Sequence, residues 1–97
     1  MGYLWLEITL AHLRGIEPYE VMQALSAERR YPVPVRADNG MRVLTIWART
    51  RAGRPFVVAL RKVPDSRWDW WILGAREMTQ DEAARFTRWE TEAGEDD

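Results

Sequence analysis

Hydrophobic and polar residues alternate with a period of two through the middle of the chain and fall at helical spacing towards its ends. From Tyr3 to Leu13, Leu4, Ile8 and Ala11 recur at helical intervals with Leu6, Leu10 and Leu13 beside them, which fits a short helix or a strand running into one. Gly15 ends that segment. Pro18, a residue favoured at the first helical position, opens a second helix to about Glu28, with Val21, Ala24 and Leu25 facing inward. Pro32 and Pro34 then stop any helix and leave Tyr31 to Val35 as an extended edge segment, because each proline lacks the N–H that a central strand donates.

Beyond the turn signal Asp38-Asn39-Gly40, Met41 to Thr50 reads as a strand, Arg51 to Arg54 as a hairpin turn around Gly53, and Pro55 to Val63 as the partner strand. Pro64-Asp65-Ser66 makes the next turn and Trp68 to Ala75 the last strand. Thr79-Gln80-Asp81-Glu82 has capping-box spacing and starts a final helix whose apolar stripe is Ala83, Phe86 and Trp89. The pattern predicts an α+β domain over 1–89 with two N-terminal helical segments, a three- to four-stranded antiparallel sheet and a C-terminal helix. Residues 90–97 are expected to fray as an acidic tail.

Alternation also sorts the strand residues onto two faces. Leu44, Ile46 and Ala48, with Phe56, Val58 and Leu60, form the core face; Thr45, Trp47 and Arg49, with Val57, Ala59 and Arg61, form the other. In the last strand, uninterrupted alternation places Trp70, Ile72, Gly74 and Arg76 together, opposite Trp71, Leu73 and Ala75. The expected second face is therefore a patch of Trp47, Arg49, Arg61, Trp70 and Arg76. Such a surface can stack bases on indoles while guanidinium groups hold phosphates, and equally the Trp residues can be core beneath the last helix.

Composition sharpens this. The 97 residues are 46% hydrophobic with six Trp, enough apolar material for one core. There is no Cys, hence no disulfide framework and no thiolate chemistry. The N-terminal stretch has no basic leader, Glu7 interrupts its apolar run, and nothing approaches the ~18–20 apolar residues of a spanning helix, so the chain is expected in the cytoplasm and off the membrane. Net charge is −1, but five of the 15 acidic residues lie in 90–97, so residues 1–89 hold 14 basic against 10 acidic side chains, a net of +4. Between Arg29 and Arg67 ten basic residues face only Asp38 and Asp65. That field attracts phosphate backbones or an acidic protein surface.

His12 is the only residue of the type that titrates near neutrality, so it is the candidate for proton transfer. The chain has no nucleophile elbow, no phosphate-binding glycine loop and no metal-ligand spacing, and neither metal nor cofactor is expected.

Taken together, Trp5, His12-Leu13, the run Arg14-Gly15-Ile16-Glu17-Pro18-Tyr19-Glu20-Val21, Arg42, the hairpin from Ala48 to Pro55, and Ile72-Leu73-Gly74-Ala75-Arg76-Glu77-Met78 resemble the BrnT family of toxins, RelE-like ribonucleases of bacterial type II toxin–antitoxin pairs. The family typically opens with an aromatic-x-Trp-Asp signature, has His-Gly-Val before its second helix and Ile-Ser-Ala-Arg in its last strand. Here Leu6, Arg14 and Gly74 stand in place of the family's Asp, His and Ser. The resemblance implies a RelE-like fold, metal-independent RNA cleavage and neutralisation by a cognate antitoxin in a homo- or hetero-oligomer. It matches Arg76 to a functional arginine, and Arg42 and Arg49 less closely. Arg76, Arg49, Arg61 and His12 are then the catalytic candidates, and Trp47, Trp70 and Arg42 the nucleic-acid-binding ones. The competing expectation is an inactive interaction module that binds an acidic partner through its basic sheet face.

Overall fold

A computed structural model describes residues 2–95. In chain order the elements are β1 (Gly2–Trp5), α1 (Glu7–His12), α2 (Pro18–Leu25), β2 (Tyr31–Arg36), β3 (Arg42–Arg49), β4 (Pro55–Lys62), β5 (Asp69–Glu77) and α3 (Gln80–Glu95). The strands form one mixed sheet in the order β1-β5-β4-β3-β2, antiparallel except where β1 pairs in parallel with β5. The chain is thus α+β, with five strands rather than three or four. The extra strand is the front of the Tyr3 to Leu13 segment, which divides into β1 and a six-residue α1. No described helix is long and apolar enough to cross a membrane.

β3 and β4 pair as their alternation predicts, Ile46 opposite Val58 and Ala48 opposite Phe56. Their side chains form the main core with Leu60, Ile72 and the inward face of α2, Val21, Ala24 and Leu25. α2 begins at Pro18, and the Glu17 N–H donates to Glu20 Oε1 at 3.0 Å, closing its first turn. β2 is an edge strand, where its two prolines are tolerated.

The other sheet face is covered by α3. Phe86, fully buried, sits on Trp47 and Val57, with Tyr31, Val33, Met78 and Trp89 packed around them. Tyr31 and Trp89 stack at 5.0 Å between ring centroids. The Thr79 capping box forms: the Glu82 N–H donates to Thr79 Oγ1 at 3.2 Å and the Thr79 N–H to Glu82 Oε1 at 2.9 Å. The helix continues to Glu95, so the segment expected to fray is helical through that residue, and 96–97 lie outside the described residues.

One irregularity in β5 redistributes the tryptophans. Ala59 pairs with Gly74 but Leu60 pairs with Ile72, so Leu73 is an extra, bulged residue. Every side chain before it is shifted to the face opposite that set by uninterrupted alternation. Trp70 and Ile72 therefore join the α2 side with Ala75, and Trp71 joins Arg61 and Arg76 on the α3 side. α1 closes over the bulge: buried Thr9 places its hydroxyl 2.8 Å from the Ile72 carbonyl oxygen and 3.1 Å from that of Leu73.

Candidate functional site

Arg49, Arg61 and Arg76 share the sheet face that carries Trp47, as alternation predicts, but they do not form one cluster. Arg49 pairs with Pro55, and Arg61 lies six residues further along β4, a separation of about 20 Å. Arg76, opposite Val57, falls between them along the strand.

Two of the three are already held by α3. Arg49 grips Glu90 through Nε and Nη2 at 2.9–3.1 Å, donates to Thr87 Oγ1 and the Gly53 carbonyl, and lies over the Phe86 ring. Arg76 makes a two-pronged pair with Glu82, 2.6 and 2.8 Å, and its side chain stays more than half exposed. The Arg76 guanidinium, chiefly, holds the Glu82 carboxyl down to about 2, and the arginine is itself raised above its ordinary value by the same bond. Arg61 is exposed, with no ion pair among the described residues.

The expected pair of stacking indoles is corrected. Trp47 is 5% exposed, packed against Phe86, with Arg85 over its ring and its Nε1–H donating to Thr45 Oγ1. It offers no free face to a base. Trp70 is on the opposite side of the sheet because of the Leu73 bulge. Arg42 also lies on that opposite side, directly across from Arg36, and so apart from Arg49 and Arg76.

What the fold does assemble is a groove of about 500 Å³ where the end of α1 and the Gly15 turn meet the last residues of β5. His12, Arg14, Arg54, Arg76 and Glu77 line it. A carbonyl oxygen only accepts, so the 2.7 Å contact between His12 Nδ1 and the Ile8 carbonyl fixes the proton on Nδ1 and leaves Nε2 as the acceptor of the neutral ring. Arg54 is the most heavily bonded side chain here. Nη1 reaches Glu20 at 2.7 Å, Nε and Nη2 reach Glu77, and Nη2 donates to the Gly15 carbonyl at 3.1 Å. The Glu17 N–H first, and then Arg54, hold the Glu20 carboxyl below the usual carboxylate range. Arg14 is exposed and makes no ion pair among the described residues.

Arg14 and Arg54 escape a reading based on alternation because both sit in turns, where no period operates. Each, however, adjoins a glycine of positive φ, Gly15 at 66° and Gly53 at 89°. An arginine beside a glycine that reverses the chain is the signal that marks both. The groove is thus a compact set of cations, one imidazole and one carboxylate, drawn from the end of α1, two turns and β5. Such a set can bind a phosphodiester, stabilise charge on its oxygens and exchange a proton with it. In comparison with known proteins, the chain matches no protein-family model, no curated protein and no solved structure.

Proposed function

We propose that this chain is the toxin of a bacterial type II toxin–antitoxin pair, of the BrnT kind and RelE-like in arrangement, which cleaves RNA without metal in the groove between α1 and β5. The observation that carries the reading is the convergence of His12, Arg14, Arg54 and Arg76 on one recess. In the proposed reaction the ribose 2′-oxygen bonds to the adjacent phosphorus and the bond from phosphorus to the 5′-oxygen breaks. His12 Nε2 takes the 2′-OH proton, and a proton returns to the leaving 5′-oxygen. Arg76 and Arg14 face the charge that grows on the non-bridging oxygens, and Arg54, tied to Glu20 and Glu77, holds the floor of the groove in place. The products are a 2′,3′-cyclic phosphate and a 5′-hydroxyl. Arg49 and Arg61 have no part in this step, since neither lines the groove. A cytoplasmic location and a cognate antitoxin complete the proposal.

Incubation of the purified chain with end-labelled RNA in EDTA tests it. The expected result is fragments with cyclic phosphate ends, with Arg76→Ala and His12→Ala each slowing cleavage by roughly 100- to 1,000-fold, the effect of removing one preorganised charge-stabilising or proton-transfer group. Intact, folded protein that leaves RNA whole overturns it.

A second reading has its own observation. Glu82 and Glu90 of α3 already occupy Arg76 and Arg49 as an acidic partner segment would. On that reading the chain is an inactive module that exchanges these internal carboxylates for those of another protein, and expression of the chain alone leaves growth unaffected.

A further inference from the structure

The end of the sheet furthest from the groove carries a different arrangement. Arg36 is directly opposite Arg42, Lys62 opposite Trp70, and Trp70 opposite Tyr3. The pairing of Leu44 with Leu60, two residues further in, sets Arg42 beside Lys62, and these two line a common recess with Arg61. One row across the sheet therefore reads Arg36, Arg42, Lys62, Trp70, Tyr3, with neighbours about 4.8 Å apart. All five are on the side that carries the α2 core.

Beside this row opens an apolar recess of about 270 Å³ lined by Tyr3, Arg30, Pro32, Leu44, Leu60 and Trp70. Arg30 is tethered at its rim, Nη1 donating to the Leu25 carbonyl at 2.8 Å. A space of that size suits one ring system rather than a drug-sized ligand. Arg36, Arg42 and Lys62 are exposed and reach no carboxylate among the described residues, although like charges directly opposite each other destabilise a sheet. An unpartnered cation row that ends at an aromatic-walled recess is complementary to a polyanion with rings attached.

We infer that this surface binds single-stranded nucleic acid, with a base in the recess against Trp70 and Tyr3 and successive phosphates on Lys62, Arg42 and Arg36. Phosphates need cations within a few ångströms of the base they follow, and the row sets Lys62 directly opposite Trp70 where that indole lines the recess. The inference deepens the reading of the chain as an RNA-cleaving protein by giving it a surface that holds substrate away from the bond broken, and it rests on that reading only for the identity of the strand as RNA.

The test uses a fluorescein-labelled deoxythymidine decamer, which lacks the 2′-OH and stays intact, with binding read by anisotropy between low and moderate salt. The triple variant Arg36→Ala, Arg42→Ala, Lys62→Ala alters only exposed side chains, and it is expected to reduce the slope of log affinity against log salt by about 2, three phosphates at ~0.7 each. An abasic decamer probes the recess without touching the protein and is expected to bind about 5- to 150-fold more weakly, the loss of one stacked base. Because the decamer cannot be cleaved, its binding reports on the row and the recess, while cleavage of RNA in EDTA reports separately on the groove. An unchanged slope in the triple variant, equal binding of the abasic strand, or displacement of the decamer by polyglutamate of equal length as readily as by unlabelled decamer each overturns the inference. The last outcome assigns the surface to an acidic protein instead.

Discussion

At one end of the sheet Arg49, Arg54 and Arg76 each reach carboxylates, Glu90, the pair Glu20 and Glu77, and Glu82. At the other end Arg36, Arg42, Arg61, Lys62 and Arg67 reach none among the described residues. Both ends are basic in sequence, yet they do different physical work. Paired arginines tie α2, α3 and the strand ends together, and of these Arg76 keeps more than half of its side chain exposed beside the groove. Unpaired ones add only mutual repulsion to the folded state, offset when a polyanion arrives. Cation density along a sequence therefore does not locate a binding surface. What matters is whether the fold supplies a carboxylate, and here α3 supplies two of them to one end only.

The largest expected effect comes from removing the anchor of that helix. Phe86 is fully buried against Trp47 and Val57, and Phe86→Ala is expected to cost about 3–5 kcal/mol, as for other large aromatic truncations in cores. Urea unfolding followed by circular dichroism measures it. Hydrogen exchange should show α3 losing protection first, with Arg49 and Arg76 released from their glutamates. A loss below ~1 kcal/mol would mean that the ion pairs, not the aromatic layer, hold the helix, and the contrast between the two ends would need another cause.

Acid should erase the difference more gently. Glu82 in the folded chain stays ionised down to about 2, against an ordinary value of 4.5. Above pH 4.5 both folded and unfolded chains are ionised there and the full stabilisation is present. Between 4.5 and about 2 the unfolded chain takes up the proton first, so stability falls with pH, and below about 2 the contribution is gone. Glu20, also lowered, contributes in the same direction. Melting temperature measured across this window is expected to fall with pH, and Glu82→Gln to flatten part of that fall. Substitution of Arg42 or Arg67 at the far end should leave the profile unaltered, as neither has a carboxylate to protonate.

Much of this architecture is written locally in the chain. The β3–β4 hairpin follows alternation residue by residue, the Pro32 and Pro34 pair marks an edge strand, and Thr79 to Glu82 forms the cap its spacing implies. Two features are not local. β1 has only four residues, too few to show a period, and its partner β5 lies more than sixty residues away. The Leu73 bulge leaves no trace in Trp70-Trp71-Ile72-Leu73, where large apolar residues occupy both parities and no polar position marks a face, yet it exchanges Trp70 and Trp71 between faces. For the same reason the arginine and indole patch expected from alternation divides in two. Arg49, Arg61 and Arg76 stay on the α3 face with Trp47, whereas Trp70 passes to the other face, where alternation already sets Arg42. The groove itself depends on His12, Arg14 and Arg54, residues of a helix end and two turns, which only the folded chain brings side by side.

The smallest effect is the most specific, because its sign separates the two ends. Arg36 and Arg42 are direct cross-strand neighbours on an exposed edge, a like-charge pair with no carboxylate to relieve it among the described residues. Arg36→Glu turns this pair into an opposite-charge one and is expected to stabilise the chain by about 0.2–1 kcal/mol, the usual range for such neighbours. The same reversal at the other end, Glu82→Arg, should destabilise it, since Arg76 then faces a second cation and the Thr79 cap loses its acceptor. The gain from Arg36→Glu should shrink as salt rises, because the pair is exposed and screening acts on it fully. Denaturation midpoints of both variants at low and high salt measure these changes. A destabilised Arg36→Glu chain would show that Arg36 already has a favourable place in the folded protein, and the far end would then be no more in need of a ligand than the near one.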